Sequence, residues 1–270
     1  MTTEPEHKMK MGRVLVVAGS DCISGAGLQV DLKTITALGG YAMTAVTAVT
    51  IQDTQKVYRI LPVEPEWVAE QMQICLKDVG ADCIKLGMLV NVEIVRAVVD
   101  VLKTVPQIPV VADPVLIGSG GGVLLDAQGL ELFVDHLLPR LSLLTPNLPE
   151  ATALTRLHLR TLDEIERAAR VLGNHRRSIL IKGGHGEGET LVDVLFHANA
   201  YHHFSHQRQM NRGVHGTGCA LASAIATGLA QKMALPAAVA RGIQFVQMAI
   251  RSSYSLGKGQ RLLAMPGPIF

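Results

Sequence analysis

The sequence predicts a single α/β domain, a three-layer α/β/α sandwich around a mostly parallel central sheet. Three observations carry the prediction. Short runs of Val, Leu, Ile and Ala recur along the chain, separated by segments with apolar residues at helical spacing. The runs are apolar throughout rather than at alternate positions, as strands covered on both faces must be. Finally, 270 residues with 48% apolar and 18% charged side chains suffice to bury one large core without disulfide or metal staples.

Residues 13–18 (RVLVVA) form the first strand, which ends in the turn Gly19-Ser20-Asp21. A helix from Gly25 to about Leu38 follows and stops at Gly39-Gly40. Strands are predicted over 42–49 and 57–61. Segment 65–79 opens with Pro65 and Glu66 and is an amphipathic helix. The alternation continues with strand 83–86, helix 92–102, strand 110–112, a glycine loop and helix 126–137. Then come strand 142–144, a short helix from Asn147, helix 162–172 and strand 178–181. Residues 191–196 and 201–204 read as an antiparallel pair, and two Ala-rich helices, 217–231 and 236–254, follow. Met72 and Met248, on helical faces, are expected in the core. With no repeat or linker, residues 13–270 read as one domain after a polar tail, 1–12.

Composition excludes several classes of function. The net charge is +2 with Lys and Arg scattered, so no basic stripe marks a nucleic-acid binder. Aromatic residues are 4%, too few for base-stacking platforms. Mean hydropathy is +0.28, yet no apolar run approaches the roughly 18 residues needed to span a bilayer. The first dozen residues lack the apolar centre of a signal peptide. Cys22, Cys75, Cys83 and Cys219 fit no zinc spacing and read as free thiols of a cytoplasmic protein. His202, His203 and His206 are expected to be exposed on a hairpin rather than to hold a metal.

In open α/β sheets ligands bind beyond the carboxyl ends of the strands, and five loops there could carry chemistry. Residues 19–27 (GSDCISGAG) are glycine-rich, but no Lys-Ser/Thr follows, which excludes a Walker A loop. Gly118-Ser119-Gly120-Gly121-Gly122 has the freedom of a flap. Asp113, directly after a buried strand and before Pro114, sits where a metal-bound phosphate would need an acid. Glu150 follows Asn147 in the first turn of a helix, where dipole pairing alone could explain it. Lys182-Gly183-Gly184-His185 places a lysine at a strand end, in reach of a phosphate or in a solvated turn. Val214-His215-Gly216-Thr217-Gly218-Cys219 opens an Ala-rich helix whose free N–H groups make an anion pocket. The dipole there is expected to lower the Cys219 pKa.

Taken in order, these segments resemble the ribokinase-like superfamily and, within it, the hydroxymethylpyrimidine/phosphomethylpyrimidine kinases of the thiamine pathway. The resemblance runs from about Arg13 to Gln260. It rests on the first glycine loop with Leu28-Gln29-Val30-Asp31-Leu32-Lys33-Thr34 and on Thr47-Ala48-Val49-Thr50-Ile51-Gln52-Asp53-Thr54. It rests also on Lys85-Leu86-Gly87-Met88-Leu89, Asp113-Pro114-Val115, Thr145-Pro146-Asn147-Leu148-Pro149-Glu150, Lys182-Gly183-Gly184-His185 and His215-Gly216-Thr217-Gly218-Cys219. Each is weak alone; their shared order is specific.

The resemblance implies transfer of the γ-phosphate of ATP to 4-amino-5-hydroxymethyl-2-methylpyrimidine and then to its monophosphate, in a cytoplasmic homodimer. It implies that Gln52 pairs with the amino edge of the pyrimidine, that Gly19, Met88 and Val115 line the ring, and that Asp31 lies near the substrate. Asp113 and Glu150 would hold Mg²⁺. Lys182 and Asn147 would serve the phosphates, and Gly216, Thr217, Gly218 and Cys219 would form the anion hole. Sugar kinases of the superfamily place Asp where this chain has Cys219. Cys219 is therefore expected to act as a weak base in the first step and an uncharged neighbour in the second. The chain departs from the pattern at Gly213-Val214, where relatives carry a polar pair, and in a flap without Lys or Thr. The competing readings are a cysteine-bearing pyridoxal kinase and a non-catalytic pyrimidine-binding regulatory module.

Overall fold

A strand that is apolar on both faces needs a helical layer on each side, and this chain supplies both. The computed structural model describes residues 11–116, 124–173, 177–185, 189–209 and 213–265. Along β1 (Arg13–Asp21) the side chains of Val14, Val16 and Ala18 enter one core, and those of Leu15 and Val17 enter the other. The remaining strands are β2 (Tyr41–Gln52), β3 (Val57–Pro62), β4 (Cys83–Leu86), β5 (Val110–Ala112), β6 (Leu143–Leu144), β7 (Ser178–Ile181), β8 (Thr190–His197) and β9 (Ala200–Gln207). Among the described residues they form one sheet of nine strands, ordered β3-β2-β1-β4-β5-β6-β7-β8-β9. The centre from β2 to β7 is parallel, while β3, β8 and β9 join antiparallel at the two edges.

One face is covered by α1 (Gly27–Ala37), α7 (Thr217–Ala230) and α8 (Leu235–Arg251). The other is covered by α2 (Pro65–Asp78), α3 (Val92–Thr104), α4 (Ala127–Leu132), α5 (Leu148–Thr155) and α6 (Leu162–Leu172). α7 is built of Ala, Gly, Ser and Thr with few large side chains, so it lies close on the sheet; a Cβ at Gly228 would stand 2.7 Å from that of Ala238 in α8. A short pair, β10 (Val214–His215) and β11 (Arg261–Leu262), ties the end of the chain to the start of α7.

The three-layer prediction holds, with local differences. The predicted helix 126–137 ends at Leu132 and continues as a wide π turn and a 3₁₀ turn, Leu138–Arg140; Pro139 cannot donate to a helical ladder. β2 extends beyond the predicted 42–49 because its last residues pair with β3, and this places Gln52 at a strand end. Met72 is buried as expected, whereas Met248 is 40% exposed.

Candidate active site

Every parallel strand of the centre runs toward one rim, and a cavity of about 770 Å³ lies there. Its middle is defined by charge. Lys182, just after β7, places Nζ 2.7 Å from Asp113 Oδ1 and 4.0 Å from Glu150 Oε2. The parallel sheet creates this meeting, because the three residues follow three neighbouring strands, β5, β6 and β7. Thr145 Oγ1 donates to the same Asp113 oxygen at 3.3 Å. Asn147 and Glu150 form a reciprocal cap on α5: the Asn147 side chain accepts from the Glu150 N–H and Glu150 Oε2 accepts from the Asn147 N–H, both at 2.8 Å. Glu150 is thereby held toward Lys182 rather than spent on the dipole alone.

Burial pushes the Glu150 pKa up to about 7; Lys182 and the backbone bond oppose this and Asp113 adds to it. Burial works against the Lys182 ammonium, but Asp113 and Glu150 outweigh it and its pKa is raised. At neutral pH the centre therefore holds one fixed cation between two carboxyl groups, one of them near its titration point.

Directly above lies the start of α7. Gly216 has φ 82°, and a Cβ there would stand 2.1 Å from the Gly25 carbonyl oxygen, so only glycine closes this turn. It caps α7 without any side-chain hydrogen bond, leaving the first-turn N–H groups of Thr217, Gly218 and Cys219 without helical partners. A Cβ on Gly218 would meet Asp113 Oδ2 at 2.9 Å and Lys182 Nζ at 3.3 Å. The helix start thus rests on the charged centre, and its N–H groups and dipole favour an anion beside Lys182.

At one end of the cavity lie Gly19, Gln52, Met88 and Val115. A side chain at position 19 would strike the Met88 methyl, 2.3 Å from an ideal Cβ, so glycine keeps this end open. Gln52 presents its side-chain amide with no hydrogen-bond partner among the described residues, while its backbone carbonyl accepts from Cys22 Sγ at 3.2 Å. At the other end Leu191, Val214, Ile243, Val246 and Ile250 make an apolar slot. The expected flap, Gly118 to Gly122, lies outside the described residues.

Three expectations require correction. Asp31 does not reach the cavity: it is fully buried, with Oδ2 2.7 Å from Lys85 Nζ and Oδ1 accepting from Ser223 Oγ at 2.7 Å. A carboxylate on the α1 face toward the sheet is drawn to the lysine of β4, away from the rim. The Cys219 thiol is pushed up to about 11 rather than down. Burial dominates; Lys85 and the Gly27 N–H lower the pKa, while Asp31 and Asp113 raise it. Its partial exposure is to the cavity, and burial there favours the protonated thiol in the unliganded chain. Lastly, of the three histidines only His203 is exposed as expected, pairing with Glu166 at 2.7 Å; His202 is half-buried, and His206 lines the cavity with Nε2 3.2 Å from Asp193 Oδ2.

Asp21 accepts from the N–H groups of Ile23, Gly25 and Ala26 and so shapes the first glycine loop. Lys85 is a charge inside the four-residue strand β4, where every residue is buried; that contradiction was a readable signal that a buried partner existed.

The Lys-carboxylate centre set under a helix start, at the rim of a doubly covered parallel sheet, defines a small-molecule kinase of the ribokinase-like class. The family profile described as phosphomethylpyrimidine kinase matches residues 21–264, and the chain belongs to that family. It is 40% identical over 258 residues to the hydroxymethylpyrimidine/phosphomethylpyrimidine kinase of Streptomyces coelicolor, covering 95% of both chains. It is 42% identical over 251 residues to the thiamine biosynthesis bifunctional protein of Geobacter sulfurreducens, covering 92% of this chain but 51% of that protein, about half its length. Among solved structures, the pyridoxal kinase of Staphylococcus aureus in complex with AMP-PCP and pyridoxal superposes with a TM-score of 0.84 at 28% identity, covering 94% of this chain and 93% of that one.

Proposed function

We propose that this chain transfers the γ-phosphoryl group of ATP to the hydroxymethyl oxygen of 4-amino-5-hydroxymethyl-2-methylpyrimidine and then to the resulting monophosphate, for thiamine biosynthesis. The observation that carries the reading is the continuity of one cavity. An amide-bearing pocket at Gln52 and an apolar slot flank a cationic centre beneath free helix N–H groups. Phosphoryl transfer asks mainly for positioning and charge neutralisation. Lys182 neutralises charge on the transferred group, Gly216–Cys219 bind it through backbone N–H groups, and Asn147 fixes Glu150. Gln52 offers the paired donor and acceptor that an aminopyrimidine edge needs. The 40–42% identity to thiamine-pathway proteins against 28% to a pyridoxal kinase favours the pyrimidine.

Asp113 and Glu150 suit Mg²⁺. Asp113 Oδ2 accepts no hydrogen bond among the described residues and faces the start of α7. Hard carboxylate oxygens beside a phosphate site match the preference of this ion, which takes few protein ligands and completes its shell with phosphates and water. The ion would screen the charge of the phosphates.

A homodimer is supported by the β2–β3 edge, where Val49 and Leu61 face each other and both are exposed with Ile51. An apolar edge hairpin of this kind is protected by a second copy. Action in the cytoplasm is supported by four unpaired cysteines; no described helix is long and apolar enough to cross a membrane.

Phosphorus NMR of the purified protein with MgATP and the pyrimidine, beside a parallel tube with pyridoxal, tests the reading. Monophosphate followed by diphosphate is expected. Product from pyridoxal alone would assign the chain to vitamin B6 chemistry. Ligand binding without any product would make it a regulatory module.

A further inference from the structure

The apolar slot of the cavity has one polar wall, and that wall is a continuous hydrogen-bonded chain with a direction. It begins at Asp193 on β8, almost fully buried, whose Oδ1 accepts from the Gly183 N–H at 2.7 Å. Oδ2 stands 3.2 Å from His206 Nε2 on β9. The other ring nitrogen, Nδ1, is 3.1 Å from Gln247 Nε2 on α8, and Gln247 Oε1 accepts from Gln209 Nε2 at 2.9 Å. All four residues line the cavity beside Val214, Ile243, Val246 and Ile250.

A carboxylate oxygen only accepts, so it sets the polarity of everything attached to it. Asp193 accepts the hydrogen bond of His206 Nε2–H, which leaves Nδ1 of the neutral ring as an acceptor. Nδ1 accepts a hydrogen bond from the Gln247 NH₂, which turns Gln247 Oε1 toward Gln209 and engages the Gln209 NH₂. What remains at the end of the chain is Gln209 Oε1, an acceptor with no partner among the described residues. Such an acceptor matches an exocyclic amino group and opposes a keto oxygen.

We propose that Gln209, oriented through Gln247 and His206 by Asp193, reads the 6-amino group of the nucleotide base and makes this kinase prefer adenine over 6-oxopurine nucleotides. The proposal rests on the reading of the cavity as a nucleotide site and deepens it. The apolar lining of the slot suits the faces of a base, and the strand order puts it across the Lys182 centre from the Gln52 end, as a triphosphate reaching that centre requires. The Asp193–Gly183 bond adds a second consequence, because the chain that reads the base also anchors the turn that carries Lys182. Protonation of His206 reverses both amides and presents Gln209 NH₂ instead. The groups facing His206 are Asp193 from β8 and Gln247 from α8, with Arg208 lining the same cavity just beyond the end of β9. The Asp193 hydrogen bond raises the His206 pKa and outweighs burial, which disfavours the charged ring, so acidification drives the reversal.

Calorimetric binding of ADP and IDP to the intact protein tests this without any acceptor substrate. At pH 8.5 the wild type is expected to prefer ADP by roughly tenfold to hundredfold, the effect of leaving one buried acceptor opposed, and the preference is expected to shrink at pH 6. His206→Phe and Gln247→Leu each cut the chain from a different strand or helix and are expected to bring the ratio within about threefold. Gln209→Glu cannot flip its polarity, so in the double variant with His206→Phe it is expected to restore the preference. A merely structural His206 would not show that rescue. Equal binding of ADP and IDP by the wild type, or full preference retained in both cut variants, would overturn the proposal. Absence of pyrimidine turnover would instead overturn the substrate assignment and leave this ratio readable.

Discussion

Two Lys–Asp pairs stand at neighbouring levels of this molecule with the same separation and opposite purposes. Lys182 Nζ and Lys85 Nζ each lie 2.7 Å from their aspartate. The first pair keeps 15% and 6% of its side-chain surface, all at the cavity rim; the second keeps none. An ion pair at a rim can exchange its partner for an incoming phosphate. A sealed pair cannot: Lys85 borders the cavity floor, but its side chain is fully covered, and the pair reaches the site only through its field at Cys219. Distance alone does not separate catalysis from architecture; access does.

Substitution at the two lysines breaks the comparison most sharply. Lys182→Met is expected to lower kcat by about 10²- to 10³-fold, the loss seen when one preorganised donor to a developing anion is removed, with little change in thermal unfolding. Lys85→Met is expected to act in reverse, destabilising the fold by about 3–5 kcal/mol because Asp31 is left buried without its counterion. The double variant Lys85→Met/Asp31→Asn removes both charges and should recover most of that stability, since a buried pair contributes little net stability of its own. Calorimetric unfolding beside steady-state kinetics checks all three. Equal loss of kcat in the Lys182 and Lys85 variants at equal stability would erase the distinction.

The same contrast explains what could be read from the chain alone. The parallel sheet was legible because β1, β5 and β7 coincide with apolar runs, and Asp113 and Lys182 because each directly follows such a run; Glu150, in the first turn of α5, was marked only by its pairing with Asn147. Asp31 was misjudged because a helical acid has no strand end to locate it; only the packing of α1 on β4 shows that it faces Lys85. The Cys219 pKa was misjudged because the helix dipole is visible in Gly-Thr-Gly-Cys, whereas burial depends on residues far away in sequence. His206 was hidden because the length of β8 and β9, which carries it back to the rim, is fixed by pairing rather than composition.

Cys219 lies within electrostatic reach of both pairs and tests how they share the site. Its neutral thiol adds no charge, whereas Cys219→Asp would put a carboxylate beside the acceptor. Two unit charges about 4 Å apart repel by roughly 4 kcal/mol at an effective dielectric near 20. The first step, on an uncharged alcohol, should be largely spared. The second, on a monophosphate, should lose about tenfold to hundredfold more in kcat/KM. Separate measurement of the two steps decides, and equal losses would show that charge at position 219 is not what discriminates them.

The smallest expected effect concerns the rim pair alone. Burial holds the Glu150 pKa at about 7, above its ordinary value of 4.5. The folded unliganded protein therefore binds a proton that the unfolded chain has already released between those pH values. The contribution is fully present below about pH 4.5 and is lost as pH rises through 7, so it weakens the fold on the alkaline side. Glu150→Gln keeps an acceptor for the Asn147 N–H and removes the titration. Its unfolding temperature should match the wild type near pH 5 and exceed it by a few degrees at pH 8, without ligand. The sealed Lys85–Asp31 pair lies away from Glu150 and should leave this difference unchanged in its double variant. Parallel wild-type and Glu150→Gln profiles between pH 5 and 8 would mean that solvent from the cavity reaches Glu150 well enough to keep it ionised, and the rim would then be wetter than its burial implies.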